Sequence, residues 1–306
     1  MKPTNMFYPL LLVFVFCLSG MADARVHDYE TTRLKSTAGT GVGSILINEA
    51  AILNPAPIAF FTNSSFYFQT ERFEFDNTNP QRTVPLSSHY HQESKSSGLI
   101  VADSDSQLKG AFSYQKQREG PYKRKRLSAS LASVVTKNSS FGLLYRQTTD
   151  ETDSQGGTTT QNKYRQIVMG TTKVLNTNFT VGAILIDPFK AVPEDVRVVI
   201  GGQLVFQDVL TLMLDLGMNY FEDLSSSGLM RAAIQLNFFK NFFLRAGFFE
   251  DNALTEKGNG FGIAWVAPKL VLETSIKKTR NIDLEQNIQD SPLEMTETSF
   301  AISYFF

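Results

Sequence analysis

Cysteine is all but missing from this 306-residue chain; the single one, Cys17, lies near its start. No disulfide can therefore brace the fold, which excludes a small stapled secreted domain. Histidine occurs only at His27, His89 and His91, and tryptophan only at Trp265. So little histidine leaves poor material for a metal centre or a histidine-dependent catalytic site. An excess of charge is missing too: 29 basic residues stand against 30 acidic ones, for a net charge of -1. That balance lacks the basic footprint of a nucleic-acid-binding protein. Beyond the first residues, no window approaches the roughly eighteen consecutive apolar residues of a membrane helix, so a helical membrane protein is excluded.

What is present begins with a leader. Residues 1–24 combine Lys2, an apolar run over 7–18 and a small-residue site at Ala22-Asp23-Ala24. This is the pattern of a secretory signal peptide cut before Arg25. Lipidation at Cys17 is rejected, because the bulky Phe16 stands where a small residue is required. Cys17 then departs with the leader, and the mature chain has no cysteine. An exported chain with 42% hydrophobic residues and 25 phenylalanines, but no apolar helix, calls for another way of meeting a bilayer.

From residue 64 onward the dominant period is two, the signature of strands. Over 209–220, Leu210, Leu212, Leu214, Leu216, Met218 and Tyr220 share one face, while Thr211, Met213, Asp215, Gly217 and Asn219 share the other. The same alternation recurs over 196–206, 230–238, 270–277 and 299–306. Counting such segments predicts about fourteen strands: 64–76, 97–103, 107–118, 122–136, 140–150, 162–173, 178–187, 195–206, 209–221, 228–239, 242–250, 258–266, 269–279 and 296–306. Gaps after the odd strands are long, except the third, and gaps after the even strands are tight turns. Such alternation describes an outer-membrane barrel with short periplasmic turns and longer outer loops. The predicted fold class is therefore all-β, a transmembrane antiparallel barrel of about 14 strands. Its expected organisation is a leader (1–24), a periplasmic tail and plug (25–63, the tail over 25–37), and the barrel (64–306). A soluble sandwich is the alternative for any alternating chain, but it does not require the leader, the loop alternation and an aromatic end together. Phe300, Ile302, Tyr304 and Phe306 form that end, which resembles the C-terminal signal read by barrel-assembly machinery.

Residues 38–61 are unlike the rest: rich in small residues, then apolar around one acid. Gly39-Thr40-Gly41-Val42-Gly43, Glu49, Ala50-Ala51 and Asn54-Pro55-Ala56, just before the first strand, resemble the N-terminal hatch of the FadL-like outer-membrane transporters and their PorV-like relatives. The resemblance implies a hatch plugging the barrel, with Gly39, Gly41, Gly43, Asn54, Pro55 and Ala56 as its residues. It also implies hydrophobic molecules passing through the lumen and out by an opening in the wall. The residues themselves agree with such a placement. Pro55 and Pro57 fix the direction of the chain and remove two amide donors, and the glycines permit close backbone packing.

The inward faces should decide what passes. The pattern assigns Arg165, Met169, Arg197, Met213, Asp215, Arg231, Arg245, Trp265 and Glu273 to the lumen, with Ile167, Ile184, Ile186, Val199, Val205, Phe243, Phe249 and Lys277. Opposite charges there can brace neighbouring strands, and the apolar share suits either a packed plug or a pocket for a hydrophobic ligand. The run Lys123-Arg124-Lys125-Arg126 is placed near the outer rim, as a solvated strand end or a contact for lipid phosphates. His89 and His91 form a lone H-x-H in the first outer loop, too few ligands for a metal. No phosphate loop, cysteine pair or carboxylate dyad stands out, so no cofactor or metal and no catalysis are expected.

Three functions follow as expectations. The first is transport or binding of hydrophobic, fatty-acid-like molecules across the bacterial outer membrane. The second is a structural or secretion-associated barrel that binds a partner, and the last, resting on His89 or His91 alone, is an outer-membrane hydrolase. The expected partners are outer-membrane lipid, a hydrophobic ligand and the barrel-assembly machinery, with no nucleic acid.

Overall fold

The computed structural model describes residues 28–76, 94–105, 108–119, 122–153, 159–192, 195–281 and 294–306. The leader and the histidines 27, 89 and 91 lie outside the described residues. Strong period-two patterning produces β1 (Ser65–Asp76), β2 (Ser94–Asp103), β3 (Lys109–Glu119), β4 (Tyr122–Thr136), β5 (Ser139–Asp153), β6 (Thr159–Val174) and β7 (Phe179–Ile186). It continues through β8 (Arg197–Phe206), β9 (Leu210–Met218), β10 (Leu229–Phe238), β11 (Phe242–Asp251), β12 (Glu256–Val266), β13 (Leu270–Asn281) and β14 (Glu294–Phe305). Each strand pairs antiparallel with its neighbours in sequence, and β1 pairs with β14 to close a barrel of 14 strands. Closure leaves no unpaired strand edge, the condition for a sheet to sit in hydrocarbon.

The expected count of fourteen strands holds, whereas the alternation of connections holds only in part: β3–β4, as expected, and also β11–β12 are joined by segments as short as the even-numbered turns. The β4–β5 turn is only residues 137–138, whereas β9 and β10 are joined by 219–228, which carries the short helix α2 (Leu224–Ser227). The even-numbered turns and both barrel ends lie at one rim, called the turn end; the opposite rim is the loop end.

Alternation also sorts the side chains. On β9, Leu212, Leu214 and Leu216 are exposed on the outer surface while Met213 and Asp215 are buried inside. Two strands contradict the expected facing. On β6 the buried, inward residues are Gln166, Val168 and Gly170, so Arg165, Ile167 and Met169 face outward. Apolar side chains on both faces of this strand (Ile167, Val168, Met169) blur its parity. On β12 the inward set is Gly260, Gly262 and Ala264, which puts Phe261, Ile263 and Trp265 on the outer wall. Small residues are required there because chain is packed behind them.

That chain is residues 28–61. It approaches the inner faces of Gly98 on β2, Gly182 on β7, Gly201 on β8 and Gly260 on β12, strands spread around the whole circumference. Only a segment within the lumen can do so. It contains helix α1 (Thr32–Ser36) and two single-turn 3-10 segments, Asn48–Ala51 and Ala56–Phe60. The expected tail is thereby corrected from Asp28 onward: residues 28–37 are inside, not periplasmic. Polar residues such as Thr32 and Lys35 are at home there because the wall offers them hydrogen-bonding partners.

Candidate functional site

The segment enters near the loop end, where the Asp28 carboxylate accepts from Arg126 at 3.2 Å and lies 3.6 Å from Arg124. It leaves at the turn end, where the Phe61 carbonyl accepts from Lys109. Between these points Arg146 on β5 donates to the Ile52 carbonyl, and three larger sets of contacts fasten the segment to the wall.

The first is α1. Thr31 caps it, its hydroxyl accepting from the Leu34 amide, and Gly39, with φ of 82°, ends it by donating its amide to the Leu34 carbonyl at 2.7 Å. The Thr32 amide donates to the Tyr67 hydroxyl at 2.9 Å and to Gln69 Oε1 at 2.7 Å on β1. Lys35, 1% exposed, reaches Glu71 on β1 and Glu297 on β14 at once. Burial works against its charge, but Glu297 and Glu71 overcome that and hold its pKa above the ordinary lysine value. Lys277 on β13 meets Glu30 at 2.7 Å and stands over the Phe249 ring at 4.6 Å. Asn48 bridges the same two strands as Lys35, accepting from Ser65 on β1 at 2.9 Å and donating to Ser303 on β14 at 3.2 Å.

The second fastening is the glycine run. Asp215 Oδ2 accepts from the Gly41 and Val42 amides at 2.8 and 3.0 Å, and Arg231, opposite it on β10, donates to the Gly39 carbonyl at 3.1 Å. A methyl group at Gly43 would stand 2.6 Å from the backbone of Gly201. Glycine at both positions lets the two backbones meet.

The third is the Asn-Pro-Ala motif. Asn54 Nδ2 donates to the Val42 carbonyl at 2.9 Å and to Thr172 Oγ1 on β6 at 3.1 Å, and Asn54 Oδ1 accepts from the Ala56 amide at 3.1 Å. Asn54 thus ties the second half of the segment both to the glycine run and to the wall. Pro55 and Ala56 lie against Gly142 at 2.7 and 2.8 Å from where a methyl would stand.

Of the residues assigned to the lumen by sequence, Arg197, Met213, Asp215, Arg231, Arg245 and Glu273 are there. Arg245 donates to Glu273 at 2.6 Å, and Arg197 is paired with Asp251. Arg165, Met169 and Trp265 belong to the outside. Trp265 instead lines a recess of about 390 Å³ on the outer wall with Phe242, Ile263, Leu272 and Phe300. The terminal Phe300, Tyr304 and Phe306 are exposed on the same surface.

Two ionisable groups of the inner segment, half-buried Arg33 and buried Glu49, are perturbed. Burial pushes the Arg33 guanidinium down, to about 10, and the neighbouring positive charge of Arg245 adds to this. Burial raises the Glu49 carboxyl above the ordinary carboxylate range, opposed by Arg33 and by the Thr31 hydroxyl that donates to it at 2.8 Å.

Sequence reasoning missed the lining of the β2–β6 sector. Ser96, Ser113, Gln115, Ser128, Ser130, Thr148 and Gln166 are all buried there. Ser96 Oγ, Gln115 Oε1, Ser128 Oγ and Gln166 Oε1 have no hydrogen-bond partner among the described residues. This side of the lumen is consequently polar, with hydrogen-bonding capacity to spare. Serine and glutamine at every second position of β2, β3 and β4 were the available signal.

No family model and no curated protein matches the chain. Its fold is that of solved barrels aligned over nearly their whole length. The CymD monoaromatic hydrocarbon channel aligns at TM-score 0.68 and 11% identity, over 90% of this chain and 96% of that one. The toluene transporter TbuX of Ralstonia pickettii aligns at 0.62 and 9% identity, over 92% and 98%. A FadL homologue of Pseudomonas aeruginosa gives 0.57 and 12% identity, over 92% and 98%.

Proposed function

We propose that this protein is an outer-membrane channel for hydrophobic small molecules, with residues 28–61 as its plug. The observation that carries the reading is a segment pinned inside a closed barrel of 14 strands whose fold is shared with channels described for monoaromatic hydrocarbons and toluene. The chain's own chemistry supports a passive role. The inward charges Asp215, Arg231, Arg245 and Glu273 are engaged with the plug or with one another, an arrangement that positions and closes rather than reacts. The plug must shift for any cargo to pass, and its ties to β6, β9, β1 and β14 set how readily it does so.

The test is uptake of labelled toluene and of labelled palmitate by cells lacking the protein, compared with cells carrying it or its Asn54→Ala variant. Slower uptake on deletion, restored on re-expression, supports the channel. Equal uptake in both strains, with no binding of either molecule to the purified barrel, refutes it.

One observation favours a second reading, a permanently plugged barrel that serves as a partner-binding scaffold. The β2–β6 side of the lumen is polar, and the plug is held by buried ionic ties. Co-purification of one stable partner together with unchanged uptake selects that reading.

A further inference from the structure

The basic run Lys123-Arg124-Lys125-Arg126 divides between two surfaces. Arg124 and Arg126 point inward to Asp150, Thr148 and Asp28. Lys123 and Lys125 point outward, and the barrel register sets them beside other cations. Arg72 lies directly opposite Lys95, Lys95 opposite Arg118, and Arg118 opposite Lys123. One step towards the turn end, Lys116 lies opposite Lys125. Like charges directly opposite one another destabilise a sheet, yet here an unbroken row of them crosses β1 to β4. Carboxylates reach only part of it. Asp153 and Glu151 meet Lys123 and Lys125 at 2.6 and 3.0 Å, and Glu74 lies 3.7 Å from Arg72 with both groups well exposed. At the centre, Lys116 and Arg118 are exposed and form no ion pair among the described residues.

The position of the row defines its ligand. Immediately below it on the same surface are the exposed apolar side chains Phe112, Tyr114, Leu127 and Leu131. The cations therefore sit where a hydrocarbon face gives way to headgroups. With neighbouring strands about 4.8 Å apart, four consecutive positions span roughly 14 Å, more than one phosphate occupies. Elsewhere on the loop-end rim the outward cations Lys257, Lys278 and Arg280 stand among the carboxylates Glu250 and Glu294, and the outward faces of β7 to β10 carry no charged side chain. A row of adjacent cations in which Lys116 and Arg118 form no ion pair among the described residues is more than general attraction to an anionic leaflet requires, and a defined ligand accounts for it. We propose that the outer face of β1–β4 at the loop end binds a lipid whose headgroup carries more than one phosphate, with Lys116 and Arg118 at the centre of the site. The proposal requires the barrel to be embedded in a membrane but is independent of what, if anything, passes through its lumen.

The experiment is binding of lipid A bearing two phosphates to the purified full chain in a zwitterionic detergent. The arms are its one-phosphate form, phosphatidylcholine, and competition by inorganic pyrophosphate. Neutralising both central cations in Lys116→Gln/Arg118→Gln should weaken binding about 25-fold, at a few-fold per cation near an anionic headgroup. Arg118→Lys should retain binding, and Lys257→Gln, on the outer face of β12, should leave it unchanged. The heat-dependent gel shift of a folded barrel confirms that each variant has closed. Preference for the two-phosphate lipid together with this pattern supports the site. Equal binding of the one-phosphate lipid, insensitivity to the double substitution, or displacement by pyrophosphate as effective as by the lipid itself each overturns it.

Discussion

Replacing Lys35 by methionine puts the hold on the plug to a quantitative test. The side chain is 1% exposed and is the shared partner of Glu71 and Glu297, whose strands are hydrogen-bonded neighbours. Methionine nearly conserves the volume but leaves two carboxylates buried side by side without their cation. Breaking a buried pair by removing one partner costs about 3–5 kcal/mol, because the remaining charge is uncompensated. If that cost falls on the plugged state alone, the undocked fraction rises by about two to three and a half orders of magnitude. Hydrogen exchange of the barrel in lipid nanodiscs would read this at the amides of Thr32, Leu34, Gly41 and Val42. Their exchange should accelerate by at least about a hundredfold, while β9 amides stay protected. Adding Glu71→Gln and Glu297→Gln to Lys35→Met removes the stranded charge and should return exchange to near the original rate, since buried ion clusters are often replaceable by neutral groups. Acidification should also lessen the defect of the single variant by protonating one carboxylate. Unchanged plug exchange in Lys35→Met refutes the view that this lysine holds the segment, and a triple variant as open as the single one shows that packing, not charge, was lost.

Gly170→Leu should dislodge the Asn-Pro-Ala motif, because any side chain there overlaps Asn54 and Pro55; faster hydrogen exchange at the Ala56 amide, which donates to Asn54, would demonstrate it. Asn54→Ala should lower the melting temperature by an amount corresponding to about 1–3 kcal/mol, as the Val42 carbonyl and Thr172 hydroxyl lose a buried donor. The raised Glu49 pKa stabilises the folded state at pH below the ordinary carboxylate range, and this contribution is lost as pH rises through the folded value. Glu49→Gln should therefore flatten the decline of melting temperature above pH 4 to 5, which a pH series of thermal scans can check. Trp265, the only tryptophan, should be quenched by brominated lipid and not by aqueous iodide; the reverse result would return it to the lumen.

The barrel was readable in the sequence because an apolar outer face and a packed lumen impose opposite demands on alternate residues. Val209 to Tyr220 shows this plainly, and Asp215 could be placed inward from its neighbours alone. Where both faces accept apolar residues, as at Ile167, Val168 and Met169, the rule loses its force and Arg165 was misplaced with them. Trp265 was a different case. It was counted with the apolar residues of the lumen, but the decisive signal was the run of glycines on the opposite parity, which exists because the inner segment leaves no room for side chains. The glycine run and Asn54-Pro55-Ala56 marked out the segment that lies inside the barrel, yet not its beginning. Residues 28–37 resemble a tail because polar sequence in a polar lumen looks the same as polar sequence in water. Their partners also lie far off along the chain: 262 residues separate Lys35 from Glu297.

The ties of Lys35 and Asn48 to both β1 and β14 bear on how the molecule is assembled. The first and last strands can pair only after the whole chain has been made, so this junction is the final one to zip. Because one lysine and one asparagine from the N-terminal segment each grip both sides of it, a segment threaded early would draw the two strands together as the ring closes. What fills the finished barrel would then serve, during construction, as an internal mandrel against which the last strand is drawn in, and a chain without residues 28–61 should close slowly or in the wrong register.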